Sequence, residues 1–373
     1  LVVNSLQLDD KQGSVYPLPS GFGGVTDLKR WYFYAHGHYT WNPKRWQLQA
    51  KTTLSRVTAS QTTDLANGRA MREATLVNSL ASAAYRWAGG WSVRFQYDHN
   101  ERLPGLDQTI NGYFLANYRT FVRAVPSFHI VRDSRFSVSL NRLNWSRYWW
   151  ILANASYGYT DGPFLDRIAI SNTITFRTIF TEPVRVKRWF GLVQIDKLLV
   201  PLATKFHYEG IATRTDLFTF LGGVEPRKSR YETLENNLWF ITAFAGPLNA
   251  EVGTQLNWSA VQTAHEQDVP TFRTLLAKPR LIVRYKPATP WLIRLAAEQV
   301  TWWTNRTQTG STRLIDILIR YKPIQSKWLF DLTGTNLLNN NQLYFIQINN
   351  ILISQQAYLL QPRYLTFRVE RTL

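Results

Sequence analysis

The most ligand-like pair in the chain is "HGH", His36 and His38. On a strand, residues two apart share a face and can hold a metal ion together, given one or two further ligands. No third ligand accompanies them, so the plainer reading is of polar side chains on the wet side of a strand. Cysteine is absent, which removes thiolate metal sites, disulfides and thiol nucleophiles. Serines, histidines and acids occur, but none sits in a Gly-flanked elbow, and no Gly-rich loop is built to cradle a phosphate. The expectation is no enzyme, no resident metal and no cofactor, with one exception left open: a hydrolase or protease assembled from residues at a barrel rim.

A second set of chemistry-bearing residues is charged: Lys51, Arg94, Lys278, Arg280, Arg284, Asp316 and Arg320. Their meaning depends on the elements that carry them. In "STRLIDILIRYKP" (311–323) a helical period gathers Leu314, Ile317, Leu318 and Tyr321 and pairs Asp316 with Arg320. A period of two instead sets Ile315, Ile317, Ile319 and Tyr321 against Leu314, Asp316, Leu318 and Arg320. The neighbouring segments decide between them. In "NAEVGTQLNWSA" (249–260) Ala250, Val252, Leu256, Trp258 and Ala260 alternate with polar residues, which no helix could gather on one face. "RWQLQAKTTLS", "WSVRFQYDHN", "RFSVSLN" and "RIAISNTITF" alternate in the same way. The chain is read as strands throughout, and all the charged residues above fall on the non-apolar side.

Composition narrows the setting. The 373 residues include 15 Trp, 45% are hydrophobic and 18% are charged, which argues against extended disorder. The formal net charge of +18, with pI near 10.1, suggests contact with polyanions or phosphate-bearing headgroups. Nucleic acid would need a basic groove with interleaved aromatics, whereas here aromatics and charges take opposite faces, so no nucleic-acid partner is expected. No uninterrupted apolar run reaches the roughly 18 residues of a membrane helix.

Tight connections are predicted at Asn42–Lys44, Ala88–Gly90, Gly246–Leu248, Pro287–Pro290 and Pro323–Ser326. Longer polar links are expected at "TASQTTDLANGRAMR", "TAHEQDVPT", "TNRTQTG" and "GGVEPRKSRY". Large aromatics bracket the tight turns: Trp41 and Trp46, Trp87 and Trp91, Tyr285 and Trp291, Tyr321 and Trp328. Rings of this kind settle at headgroup depth in membrane barrels. The apolar faces run five or six alternate positions, close to the about 9–11 residues of a tilted membrane strand. Backbone groups in hydrocarbon must pair, so such strands close into a cylinder. The expected fold is all-β: a transmembrane antiparallel up-and-down β-barrel of 16 to 18 strands, one domain over residues 1–373, with 1–28 a partial strand and a loop.

The C-terminal run resembles the end of TonB-dependent outer-membrane receptors, and more narrowly the related Bacteroidetes-type outer-membrane β-barrel family. Asn336-Leu337-Leu338-Asn339 matches that family's corner, and Tyr358 through Pro362 and Arg363 match the opening of its last strand. Leu103 to Gln108 matches a mid-barrel segment, and the resemblance extends over most of residues 90–373. The family usually ends in Phe or Trp, where this chain has Leu373 with Arg371 two before it. Such receptors have typically 22 strands, a plug and an energy-coupling box, and neither plug nor box is visible here.

The resemblance implies a bacterial outer membrane, solute uptake through the barrel and recognition by extracellular loops. The implied partners are outer-membrane lipid and lipopolysaccharide, plus a periplasmic energy-transducing protein if a plug lies upstream. The alternatives are a non-transporting scaffold among envelope-complex subunits and a plugless passive porin. The basic residues facing the lumen carry two readings: preference for anionic solutes, or ordinary pairing with Glu251, Glu298 and Asp316.

Overall fold

A computed structural model describes residues 2–3, 24–63, 68–103, 112–117, 120–124, 129–144, 148–171, 174–221, 227–263, 271–348 and 353–371. The strands are β1 (Val2–Val3), β2 (Gly24–Trp41), β3 (Trp46–Thr63), β4 (Gly68–Trp87), β5 (Trp91–Arg102), β6 (Gly112–Asn117), β7 (Thr120–Ala124) and β8 (Val131–Asn144). They continue as β9 (Trp149–Asp161), β10 (Phe164–Ser171), β11 (Ile174–Thr181), β12 (Arg185–Leu199), β13 (Thr204–Leu221), β14 (Arg227–Thr242) and β15 (Leu248–Thr263). The last are β16 (Phe272–Tyr285), β17 (Trp291–Thr304), β18 (Thr307–Tyr321), β19 (Trp328–Thr335), β20 (Gln342–Ile348), β21 (Ile353–Leu359) and β22 (Tyr364–Arg371). No helix among these residues is long and apolar enough to cross a membrane, which says nothing of crossing by strands.

Fifteen strands pair antiparallel in one continuous wall, ordered β2-β3-β4-β5-β8-β9-β12-β13-β14-β15-β16-β17-β18-β19-β22. Among the described residues two alternating stretches, counted within the 16 to 18 strands expected, pair mainly outside this wall. Hairpins β6–β7 and β10–β11 pair with each other, β7 parallel to β11, and β10 lies parallel to the end of β13. The sheet is therefore mostly, not wholly, antiparallel. "RIAISNTITF" reads as one strand in sequence but spans parts of β10 and β11. Among the described residues β2 and β22 do not pair with each other, so closure into a cylinder is not seen.

All five predicted tight connections join consecutive wall strands at one end, the turn end. Neighbouring turns there are tied by backbone bonds, among them Arg86 N–H to Arg45 O, Leu143 N–H to Gly90 O, Ala243 N–H to Ala203 O and Lys322 N–H to Pro290 O. Two of the predicted long links are corrected. "TNRTQTG" holds only a two-residue turn, Asn305–Arg306, with φ of 50° and 72°. Those angles match the primed turns that suit a twisted hairpin. "TASQTTDLANGRAMR" is mostly strand, since β3 runs to Thr63 and β4 starts at Gly68. Likewise β2 begins at Gly24, inside the stretch 1–28 expected to be a partial strand and a loop. The matched segment Leu103–Gln108 lies almost wholly outside the described residues.

Register puts one apolar and one polar set of side chains on opposite faces of the wall. Leu248, Val252 and Leu256 alternate with Asn249, Gly253 and Gln255, and face Tyr285, Leu281 and Ala277 on β16. Much of the apolar set is open: Val252 is 50% exposed, Phe95 53% and Phe367 66%. An exposed apolar surface this continuous marks a face that meets a partner or a membrane. Two local devices support the wall. The Trp239 ring lies over Gly253, where an added Cβ would run into the ring and the Leu238 carbonyl. Pro279, which lacks an N–H, sits where pairing with β17 lapses between Ala277↔Thr301 and Arg280↔Glu298.

Candidate functional site

The polar face of the wall gathers the residues that could do chemistry. Arg320 and Asp331 on adjacent strands form a two-pronged ion pair, Nε–Oδ1 2.8 Å and Nη2–Oδ2 2.9 Å. Asp331 escaped the sequence reading, although the alternation Trp328, Phe330, Leu332 places it on the polar side. Arg284 meets Glu251 at 2.6 Å, and Arg280 meets Glu298 at 3.8 Å. Asp316 has no role toward Arg320: its Oδ1 accepts the backbone N–H of Asn336 at 2.8 Å. An acid and a base in one strand are thus each held by a different neighbour.

Pairing does not absorb all the positive charge. Among the described residues Lys51, Arg94, Lys278 and Arg294 have no carboxylate partner, though all lie on the polar face. Arg294 stands directly opposite Arg284. His36 and His38 lie on this face, opposite Thr53 and Lys51. His38 Nε2 is 3.1 Å from Thr40 Oγ1 and 3.2 Å from Gln49 Nε2. No group of three or more His, Asp or Glu able to hold a metal ion forms among the described residues.

Toward the turn end the polar face carries a depression of about 750 Å³, lined in part by Trp150, Asp196, Lys205 and His207. Asp196 Oδ1 lies 2.9 Å from Lys205 Nζ and 3.0 Å from His207 Nδ1. A flat indole beside donors and an acceptor can take a polar solute with an apolar part. At the opposite, loop end the hairpin β20–β21 folds over the same face. Leu343 packs against Leu276, Val300 and Trp302, and Thr312 Oγ1 donates to Gln342 O at 3.1 Å.

The hairpin is pinned by the Asn336–Asn339 corner. Asn336, 5% exposed, donates from Nδ2 to Asn340 O (2.7 Å) and Gln361 O (2.8 Å), and its Oδ1 accepts the Asn340 N–H (3.0 Å). Asn339 Oδ1 accepts the Arg363 N–H at 3.0 Å. Both asparagines have positive φ, 52° and 56°, a region that Asn tolerates better than other side-chain-bearing residues. The two segments matched to one family by sequence, the Asn corner and the Pro362-Arg363 opening, therefore touch.

The eight bracketing aromatics form a belt on the apolar face. Trp41, Trp87, Tyr285 and Tyr321 each end a strand at the turn end, and Trp46, Trp91, Trp291 and Trp328 each begin one. Ring centroids lie 6.1 Å apart for Trp87–Trp91 and 4.5 Å for Trp291–Tyr321. Cations lie over the belt: Arg142 on Trp91 (4.9 Å), Lys197 on Trp149 (4.0 Å) and Arg371 on Trp328 (5.5 Å). A second row of rings, not foreseen in the sequence, crosses the same face further up: Tyr97, Phe136, Tyr157 and Trp189. Its centroids are 4.7 Å apart for Tyr97–Phe136 and 4.4 Å for Tyr157–Trp189. The signal for it is weak, because no turn flanks these rings and only the register aligns them.

No protein-family model matches the chain, and no curated protein matches it. Two solved structures show remote likeness. The Pseudomonas aeruginosa FpvA complex with a heterologous pyoverdine and iron is 10% identical, with TM-score 0.29, over 92% of this chain and 65% of that one. The Pseudomonas putida toluene transporter TodX is 10% identical, with TM-score 0.25, over 82% of this chain and 86% of that one. This chain thus spans just under two thirds of the FpvA chain.

Proposed function

We propose that the wall is part of a transmembrane antiparallel β-barrel in a bacterial outer membrane, of the kind found in TonB-dependent receptors, and that it serves solute uptake. The supporting observation is the two-faced wall with aromatics at both ends of its apolar side. On β9, Trp149 and Tyr157 mark a span of nine residues, matching the about 9–11 that a tilted strand needs to cross hydrocarbon. Cations stacked on the turn-end belt suit a surface of anionic headgroups, so phospholipid is the expected surrounding at that end, with lipopolysaccharide at the loop end. The polar face then lines the passage, with ion pairs to keep it hydrated and unpaired bases to bias it.

In this reading, the β20–β21 hairpin narrows the passage at the loop end, where solute enters, and solute leaves past Trp150 and His207 at the turn end. Unpaired Lys51, Arg94, Lys278 and Arg294 make the passage favour anions. Where a plug and coupling box precede the wall, a periplasmic energy-transducing protein drives opening. Permeability of the protein reconstituted in lipid vesicles tests the bias with size-matched organic anions and cations. Anions should enter several-fold faster, and replacing Lys51 and Lys278 together by Gln should narrow the ratio. Equal rates in the unsubstituted protein remove the anion preference, and no permeation by either class points to a scaffolding role.

A further inference from the structure

On the polar face of β16, β17 and β18 three arginines are held in different ways. Arg320 gives two donors to Asp331, and Arg284 gives one to Glu251 at 2.6 Å. Arg294 stands directly opposite Arg284 across the β16–β17 ladder, a placement that costs stability between like charges. Its Nε is buried and makes no hydrogen bond. Two other arginines share that state among the described residues, and each has company. Arg142 lies over the Trp91 ring, and Arg230 is 3.8 Å from Asp216. Among the described residues Arg294 has neither a stacked ring nor a paired carboxylate.

The neighbours of the pair are apolar or already engaged. Ile282, 3% exposed, lies opposite Ala296 on the next rung of the polar face, and Leu318 lies opposite Arg294 on β18. Beside such neighbours a charge acts at a lower effective dielectric than in open water, so an unmet donor costs more and a matching anion gains more. The acids close by are taken. Glu251 holds Arg284, Asp316 accepts the Asn336 N–H, and Glu298 meets Arg280. Two adjacent guanidinium forks with donors left over match a group that presents two or more oxygens, because a fork bonds carboxylate or phosphate through two parallel N–H groups. A halide offers no such pair of acceptors.

We infer that Arg284 and Arg294 form an oxyanion site on the polar face near the turn end, taking the phosphate or carboxylate group of a soluble anion. The bound group offsets the repulsion of the facing charges and fills the donors that the wall leaves over. This deepens the passage reading above. Lys51 and Lys278 supply a diffuse positive field, whereas the arginine pair supplies a place where one anion stops. The two fail separately, because permeability reads the field and equilibrium binding reads the site.

Calorimetric titration of the full-length protein in lipid nanodiscs, at constant ionic strength set with chloride, is the direct test. Inorganic phosphate and acetate are the probes, and the tighter of them names the group. Saturable binding at a single site is expected from at least one. Arg294→Gln should weaken it by at least about tenfold, as the loss of hydrogen bonds between charged groups does. Arg294→Lys should weaken it too, because a point charge does not replace the fork. Lys278→Gln should leave binding little changed. Binding of neither probe overturns the inference, even where anions permeate faster than cations. So does full affinity in Arg294→Lys, or a loss in Lys278→Gln as large as in Arg294→Gln. Unfolding adds a check that needs no ligand. Without phosphate or acetate, Arg294→Gln should raise the unfolding midpoint, since it removes the like charge opposite Arg284. A lowered midpoint means that the wall itself uses Arg294, and overturns the site.

Discussion

The turn end and the loop end of the wall are made in different ways. At the turn end each turn comes from a handful of adjacent residues, a Gly, Pro or Asn turn with an aromatic before it and another after it, and backbone bonds such as Arg86 N–H to Arg45 O then tie one turn to the next. At the loop end the decisive bonds join residues 20 to 30 apart, Asp316 to Asn336, Asn336 to Gln361 and Thr312 to Gln342. Local sequence shapes the turns of the first end, and side-chain bonds between distant residues shape the second. One end is fixed by its tight turns, while the other can be remodelled without disturbing them.

The largest effect should come from breaking the two-sidedness on which both ends depend. Val252→Arg puts a charge on the exposed apolar face, between Leu248 and Leu256, and should destabilise the wall by roughly 2–4 kcal/mol in bilayers. Gln255→Arg, on the opposite face, should change stability by less than about 0.5 kcal/mol. Equilibrium unfolding in lipid vesicles reads the difference, and equal costs would show that the faces are not distinct.

Next comes the loop-end corner. Asn336→Ala removes three side-chain hydrogen bonds worth about 0.5–1.5 kcal/mol each and places Ala at positive φ, so a loss of about 2–3 kcal/mol is expected. Exchange should quicken at Asn340 and in β20–β21 but not at the turns. Uniform quickening would mean that the corner is no separate unit.

Arg320→Met, nearer the turn end, leaves Asp331 only 8% exposed and without its partner. A cost of about 1–2 kcal/mol is expected, with recovery in the double variant Arg320→Met, Asp331→Leu, because removing both charges removes the unmet desolvation. The smallest effect is a gain. Arg306→Gly suits the positive φ of the Asn305–Arg306 turn and should stabilise by about 0.5 kcal/mol, measured as a raised unfolding midpoint.

Much of the wall was legible in the sequence for a physical reason. Strand alternation has a strict period, and "NAEVGTQLNWSA" keeps its apolar residues on that period where no helix could gather them. The bracketing aromatics were legible because turns mark their depth. The small sheet of β6, β7, β10 and β11 was not, since its strands alternate like any wall strand and only their pairing sets them apart. The ion pairs were half legible: period two placed Arg320 and Arg284 on the polar side, but the choice of Asp331 over Asp316 depends on register between strands. The second aromatic row, Tyr97 to Trp189, depends on register alone.

Spatial neighbours in the wall are also sequence neighbours, except where β5 meets β8, β9 meets β12 and β19 meets β22. Assembly can therefore proceed hairpin by hairpin over most of the chain, closing only short loops at each step. At the three exceptions an intervening hairpin lies between the two strands in sequence, so a longer loop must close before the next strand can zip. Those longer closures are where folding should slow, and the last of them must form before β22 finds its place.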